Sequence, residues 1–334
     1  MSLEKKEEKK EEEEGRLHAR NKNRERYDLE ALISVNAELE KHIKRNKFGV
    51  KSLDFSNPIA VKLLNEALLN HYYGIKFWEF PDDNLCPPVP GRADYIHYVA
   101  DLLSKNNRNI IPVGDKVTCL DVGVGASCIY PIIGATEYKW NFIGAEIDAK
   151  SVKFARNIAN SNSVLQGKIE CLLQKDPKHF FTGIIDKTDK IDVTICNPPF
   201  HASAEEAKKS TRRKVKNLTK KNPKEPKRNF AGIQNELVYE GGEYQFIYDM
   251  IQESKQFGKN CCWFTTLVSK QSNLKGIYKT LKALDVNNIE TISMGTGNKS
   301  SRIVAWTFLS RREQKEWGKA RWKIEEDKPG HYVE

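Results

Sequence analysis

Leu120-Asp121-Val122-Gly123-Val124-Gly125-Ala126-Ser127 is the stretch that decides the fold. The apolar run over residues 117–122 reads as a buried strand, and it breaks into glycines and then into a short helix. Working outward, residues 142–147 predict a second strand and 149–162 a helix. Residues 169–173 and 191–196 predict further strands. Residues 243–257 read as helix, 261–268 as strand and 273–284 as helix, and the series closes on two strands at 289–294 and 303–309. Such alternation predicts a doubly wound α/β sheet. The closing pair, joined by a short link, predicts an antiparallel edge strand, which NAD-binding domains usually lack.

The two glycines let a ligand approach the backbone more closely than a Cβ permits. Gly144-Ala145-Glu146-Ile147-Asp148 then closes the second strand and sets Glu146 25 residues after Asp121. A carboxylate there accepts hydrogen bonds from both hydroxyls of an adenosine ribose, at the strand ends where such sheets bind ligands. Glycines alone fit any strand turn; the acid at the right strand end makes the pair a cofactor signal. A dinucleotide turn requires Gly-x-Gly-x-x-Gly, and Cys128 stands at the third position. S-adenosyl-L-methionine has no phosphate and needs no such turn, so it is the expected cofactor. Asp121, Gly123, Gly125 and Glu146 are its candidate binding residues, with Asp148 a secondary polar contact or a backbone cap.

Asp192-Val193-Thr194-Ile195-Cys196-Asn197-Pro198-Pro199-Phe200 ends an apolar strand on an amide, two prolines and an aromatic ring. The prolines hold the backbone extended and remove two N–H groups, leaving carbonyls free to accept. The Asn197 side-chain oxygen and the Pro198 carbonyl then receive both hydrogens of an amino group and turn its lone pair toward a methyl donor. Phe200 can stack on the target base. Asn197, Pro198 and Phe200 are therefore the candidate catalytic residues. The adjacent His201 reads as structural rather than as a base. The fold expected is a class I Rossmann-like S-adenosylmethionine-dependent methyltransferase sheet with an antiparallel edge strand, plus a mostly helical N-terminal RNA-binding region. The motif itself leaves adenine-N6 of RNA or DNA and glutamine-N5 of protein open.

Charge narrows that choice. The formal net charge is +10, and residues 208–228 alone carry eleven Lys and Arg against one acid, Glu225. Clustered cations are rewarded by phosphates through counterion release, so nucleic acid is the expected partner. Lys208, Lys209, Arg212, Arg213 and Lys214 in this stretch, Arg16, Arg20, Lys22 and Arg24 in a basic arm, and Arg302 are the candidate RNA contacts. The expected organisation is a disordered charged tail over 1–15 and a helical, basic region over 16–115, with a stiff proline-rich linker at 81–91. A methyltransferase domain over 116–310, with a basic insertion at 202–240, and a C-terminal tail over 311–334 complete it. The seven cysteines have no zinc-like spacing and suit a reducing cytoplasm. No metal, membrane span or signal peptide is expected, and a monomer is. A non-catalytic RNA-binding protein would keep the basic segments but would not need Asn197, Glu146 and the glycine turn together.

Several further segments carry a resemblance. They are Leu17-His18-Ala19-Arg20-Asn21-Lys22-Asn23, Ser52-Leu53-Asp54-Phe55 with Asn57-Pro58, and Pro87-Pro88-Val89-Pro90-Gly91-Arg92-Ala93-Asp94-Tyr95-Ile96-His97. Asp121 to Pro131, the Asn197 motif, Glu240-Gly241-Gly242-Glu243 and Ser301-Arg302-Ile303-Val304-Ala305-Trp306 continue it. Across residues 16–310 the chain resembles the ribosomal RNA large-subunit methyltransferases of the RlmF type and, more distantly, eukaryotic methyltransferase-like enzymes of structured RNA. The resemblance implies a bacterial enzyme that methylates N6 of one adenine in 23S rRNA, free or in a large-subunit assembly intermediate. It also implies that Arg92 holds the methionine carboxylate, Glu146 the ribose, and Asn197 with Phe200 the base. Val124 stands where the relatives often carry Thr, which touches only a minor contact. The eukaryotic relatives' C-terminal RNA-binding extension has no counterpart here, an expectation against their substrates.

Overall fold

The computed structural model describes residues 17–45, 48–206, 237–296 and 299–322. The charged tail at 1–15, Arg16, and Lys208, Lys209, Arg212, Arg213 and Lys214 therefore lie outside the described residues.

Strands β3 (Thr118–Val122), β4 (Asn141–Glu146), β5 (Ile169–Leu173), β6 (Ile191–Cys196), β7 (Cys261–Val268), β8 (Asn288–Thr296) and β9 (Lys299–Thr307) form one sheet in the order β5-β4-β3-β6-β7-β9-β8. The first five are mutually parallel, and β9 pairs antiparallel with both β7 and β8. The antiparallel strand expected at this edge is thus β9, with β8 outside it. Every residue of β6 and β7 is buried, as expected for parallel strands covered on both faces. Alternate residues feed two cores: Cys119 joins one with Ile132 and Ile133, while Leu120 joins the other with Phe181, Ile247 and Phe264.

The N-terminal region shares the first of these cores. Helix α1 (Leu29–Val35) is capped by the Asp28 side chain, and α2 (Pro58–Tyr73) opens on an Asn57 cap with proline in its first turn and ends on left-handed Gly74. Leu32, Leu64 and Leu68 pack into the same cluster as the sheet's Val193 and Trp263. The helical reading of this region missed a small antiparallel hairpin, β1 (Ile43–Arg45) with β2 (Lys51–Leu53). Three-residue strands are too short to display a period. Helix α3 (Val89–Ser104) begins inside the expected linker, since Pro90 sits in a first turn that requires no N–H donor.

Helices α4 (Ile129–Tyr138), α5 (Ala149–Ser161), α6 (Gly242–Ser254) and α7 (Leu274–Ala283) complete the α/β layers. The expected tail opens with helix α8 (Arg311–Arg321), started by a Ser310–Glu313 capping box. The helix is held to the sheet by Asp192, which accepts hydrogen bonds from Trp317 Nε1 (2.7 Å), Arg321 Nε (2.8 Å) and Trp322 Nε1 (2.9 Å). Among the described residues no helix is long and apolar enough to cross a membrane. All seven cysteines are free thiols.

Candidate active site

Strand β3 pairs with β4 on one side and β6 on the other: the chain runs outward through β4 to β5 and then returns past β3 to β6, which makes the C-terminal end of β3 a switch point. Open α/β sheets bind ligands at the carboxyl ends of the strands at such a switch. A cavity of 330 Å³ lies there, within the usual range for small-molecule sites of about 300–1,000 Å³. Its wall combines Gly123, Gly125 and Glu146 with Asn197 and Pro199, so the glycine turn, the acid and the proline motif converge on one space.

On the β3–β4 side the turn is built by two left-handed glycines, Gly123 at φ +80° and Gly125 at +63°. The Gly123 and Val124 N–H groups both bond the Ala145 carbonyl, at 2.9 and 3.0 Å. Glu146 fixes the turn's far end, its Oε2 accepting from Gly125 N at 3.0 Å and its Oε1 from Ile147 N (2.8 Å) and Asp148 N (3.1 Å). Asp148 caps α5 through Ser151 N at 2.9 Å, the capping role expected as its alternative. Asp121 is fully buried, and among the described residues neither carboxylate oxygen has a hydrogen-bond partner. Burial pushes its pKa well up, the neighbouring Cys171 and Glu146 add to the rise, and Arg92 opposes it. Asp121 immediately precedes the cavity-lining Val122 and Gly123 but is not itself part of the wall.

Arg92, in the first turn of α3, also lines the cavity. Its guanidinium donates to the Tyr130 hydroxyl at 3.0 Å and lies 5.5 Å from that ring's centre. The lining fits S-adenosyl-L-methionine: an arginine fork suits its carboxylate, and the Glu146 carboxylate at the end of β4 suits its ribose hydroxyls.

On the β6 side Asn197 and Pro199 reach the cavity wall, whereas Pro198 is buried behind it and Phe200 is half-buried outside it. The Asn197 Oδ1 is buried and without a hydrogen-bond partner among the described residues. His201 joins the segment that returns after the insertion: its N–H bonds Leu237 O at 3.1 Å and its carbonyl accepts from Tyr239 N at 3.0 Å. That return brings Val238, Tyr239 and Glu240 into the wall, none of which the sequence reading singled out as site residues. The adjoining Glu240-Gly241-Gly242-Glu243 run was the signal that could have found them. The loop bearing Pro177, His179 and Phe180 was also missed. Buried Glu253 holds it, accepting from Phe180 N at 2.6 Å and Thr182 N at 2.8 Å.

The basic arm is folded onto α3 and α4. His18 N and Asn21 Nδ2 donate to Asp94, at 2.9 and 2.5 Å. Arg20 meets Asp101 at 2.7 Å and Tyr138 at 3.0 Å, while Lys22 pairs with Glu137 at 2.6 Å. Arg24 is half-buried beside them. Arg302 lies on β9, its guanidinium 3.5 Å from Gln271 Oε1. None of these cations lines the cavity. Among the described residues no group of three or more His, Cys, Asp and Glu is placed to hold a metal ion.

Comparison with known proteins agrees with this architecture. The chain is 54% identical over 308 residues to ribosomal RNA large subunit methyltransferase F of Cytophaga hutchinsonii, covering 92% of this chain and 96% of that protein. The Photobacterium profundum protein of the same name is 48% identical over 322 residues, with 92% and 95% covered. Among solved structures it is similar to the hMettl16 catalytic domain in complex with a MAT2A 3′UTR hairpin, with a TM-score of 0.73, 29% identity, and 88% and 96% of the two chains covered. The N-terminal domain of human METTL16 in complex with SAH gives a TM-score of 0.69 and 26% identity, with 88% and 99% covered. A family described as RNA methyltransferase matches residues 11–310, and with relatives at this identity along nearly their whole length the chain belongs to that family, alongside the ribosomal RNA large subunit methyltransferase F proteins.

Proposed function

We propose that this protein methylates N6 of an adenine in the 23S rRNA of the large ribosomal subunit, with S-adenosyl-L-methionine as the methyl donor. The observation that carries the reading is the Asn197 Oδ1, a buried acceptor with no partner among the described residues, on a cavity also lined by Gly125 and Glu146. When bound, S-adenosyl-L-methionine supplies an electrophilic methyl group on a sulfonium. Arg92 holds the carboxylate of the amino-acid end and Glu146 the ribose. Asn197 Oδ1 and the Pro198 carbonyl accept the two amino hydrogens of adenine, which pyramidalises N6 and turns its lone pair to the methyl carbon. The proton released after transfer passes to water, and no strong base is required. Phe200, beside the cavity rather than in its wall, stacks on the extruded base. The relatives' shared name gives large-subunit ribosomal RNA as what they methylate, and the cluster of cations at 208–228 supports a nucleic-acid partner over a protein glutamine.

Replacing Asn197 with Ala tests this directly. Losing one preorganised acceptor is expected to lower the single-turnover rate by roughly 10²–10³-fold, with cofactor affinity within about twofold of wild type. Methylated adenine is read by mass spectrometry of digested 23S rRNA. An unchanged rate would remove Asn197 from the reaction.

A further inference from the structure

The backbone ladder between β6 and β7 runs through Ile191↔Cys261 and Val193↔Trp263 and extends no further toward the cavity. Beyond it the two strands are joined by side chains. Thr265 N donates to Thr194 Oγ1 at 3.2 Å, and Thr265 Oγ1 donates to the Thr194 carbonyl at 2.6 Å. The fully buried Tyr95 of α3 enters the same gap. Its hydroxyl lies 2.8 Å from Thr265 Oγ1 and accepts from Cys196 N at 3.2 Å. Counting hydrogens orders this chain. The Thr265 hydroxyl proton is committed to Thr194, so Tyr95 donates to Thr265 at 2.8 Å, closer than the Cys196 carbonyl at 3.5 Å, while accepting from Cys196 N. Cys196 is the residue immediately before Asn197.

The Tyr95 ring also stands edge-on to Tyr130, with centroids 5.4 Å apart, and Tyr130 carries the Arg92 guanidinium. Arg92 and Tyr95 lie one helical turn apart on α3, so a single rigid element lines the cavity through Arg92 and bonds, through Tyr95, the residue before Asn197.

We propose that Tyr95 is a positioning residue that sets the height and direction of Asn197 by clamping the Cys196 N–H where the sheet ladder has ended. Through Tyr130 it ties that setting to the Arg92 end of the cavity. This rests on the adenine-N6 reading above, and its test separates from that reading because the Asn197 variant is measured beside it.

Tyr95→Phe keeps the ring and its packing but leaves the Cys196 N–H without its acceptor. The expected result is a kcat lowered roughly 10- to 100-fold, with KM for RNA and the S-adenosylhomocysteine Kd within about twofold. Amide hydrogen exchange at residues 195–197 rises in parallel. Thr265→Val, which removes the acceptor of the Tyr95 proton, should lower kcat in the same direction, and the double variant should be no worse than Tyr95→Phe alone. If Tyr95→Phe lowers Tm but leaves kcat per folded molecule unchanged, the residue is structural and the proposal fails. It also fails if the two single variants multiply. Wild-type activity in Asn197→Ala would instead sink the underlying reaction, whatever Tyr95 does.

Discussion

The glycine turn proposed to hold the cofactor can be loosened by a substitution at a residue outside the cavity wall. Gly144 on β4 lies directly opposite Asp121 in register. A Cβ added there would stand 2.9 Å from Val124 Cγ2, 3.0 Å from its Cβ and 3.1 Å from its Cγ1. Carbon atoms rest about 3.5–4.0 Å apart, so in Gly144→Ala the valine must retreat by roughly 0.5–1 Å. It cannot rotate away, because β-branching stiffens χ1. Nor can its backbone yield freely, since the Gly123 and Val124 N–H groups share the Ala145 carbonyl at 2.9 and 3.0 Å. Overpacking of this kind costs about 1–3 kcal/mol. If the turn takes the whole strain, S-adenosylhomocysteine binds about 5- to 150-fold more weakly, with any remainder appearing as a lower Tm. Titration calorimetry and differential scanning calorimetry read the two shares. Val124→Ala in the same chain deletes both crowded γ-carbons and should recover most of the loss, whereas Val124→Thr keeps the same volume and should not. Wild-type affinity in Gly144→Ala, or equal weakness in both double variants, would refute a turn shaped by this contact.

Three other outcomes are expected. Arg321→Leu leaves the fully buried Asp192 carboxylate without its guanidinium, with Thr118 N and the two indoles as its remaining donors, and should cost about 3–5 kcal/mol in denaturant melts; Asp192 and Arg321 replaced together should lose less. His97 is held neutral to about pH 3, first by burial and then by His18 and Arg20, with Asp101 opposing. The unfolded chain takes up that proton near pH 6.5, so stability falls as pH drops from about 6.5 toward 3, and His97→Phe should flatten this limb of a Tm-against-pH curve measured beside wild type. Exchanging Lys208, Lys209, Arg212, Arg213 and Lys214 for glutamine should weaken RNA binding at low salt. It should also reduce the slope of log K against log salt by about 0.7–0.9 for each phosphate no longer neutralised, and an unchanged slope would remove this stretch from the interface.

What the sequence disclosed divides by the range of the interaction concerned. Strands β6 and β7 fall at the residues read from apolar runs, because a strand buried on both faces writes its burial into consecutive positions, whereas β5, at the sheet's edge with only Cys171 buried, was read from its apolar residues alone. The glycine turn, Glu146 and Asn197 were legible for a related reason: each sits at a strand's end, where backbone geometry restricts the residue type locally. Partnerships between distant segments were not legible. Nothing in Arg20 or Lys22 announces Asp101 or Glu137, 81 and 115 residues further on, so the arm read only as a set of free cations. The same holds for α8, whose Arg- and Lys-rich sequence resembles a solvated tail until Asp192 collects its two tryptophans and its arginine.

The site follows this division in a way that bears on its chemistry. Its end proposed to hold the cofactor is made of local devices, a turn and an acid on neighbouring strands, and could be read from one short stretch of sequence. Its acceptor end depends on interactions across the whole chain. Glu240 and Tyr239 return to it after the long insertion, Glu253 holds the loop at 176–182, and Tyr95 braces Cys196 from 101 residues upstream. Cofactor binding is a task shared by many sheets of this kind, so a short and transferable element serves it. Choosing one amine and aiming its lone pair requires orientation by several walls at once. Substitutions in those distant walls should therefore alter turnover and choice of RNA while leaving cofactor affinity close to wild type.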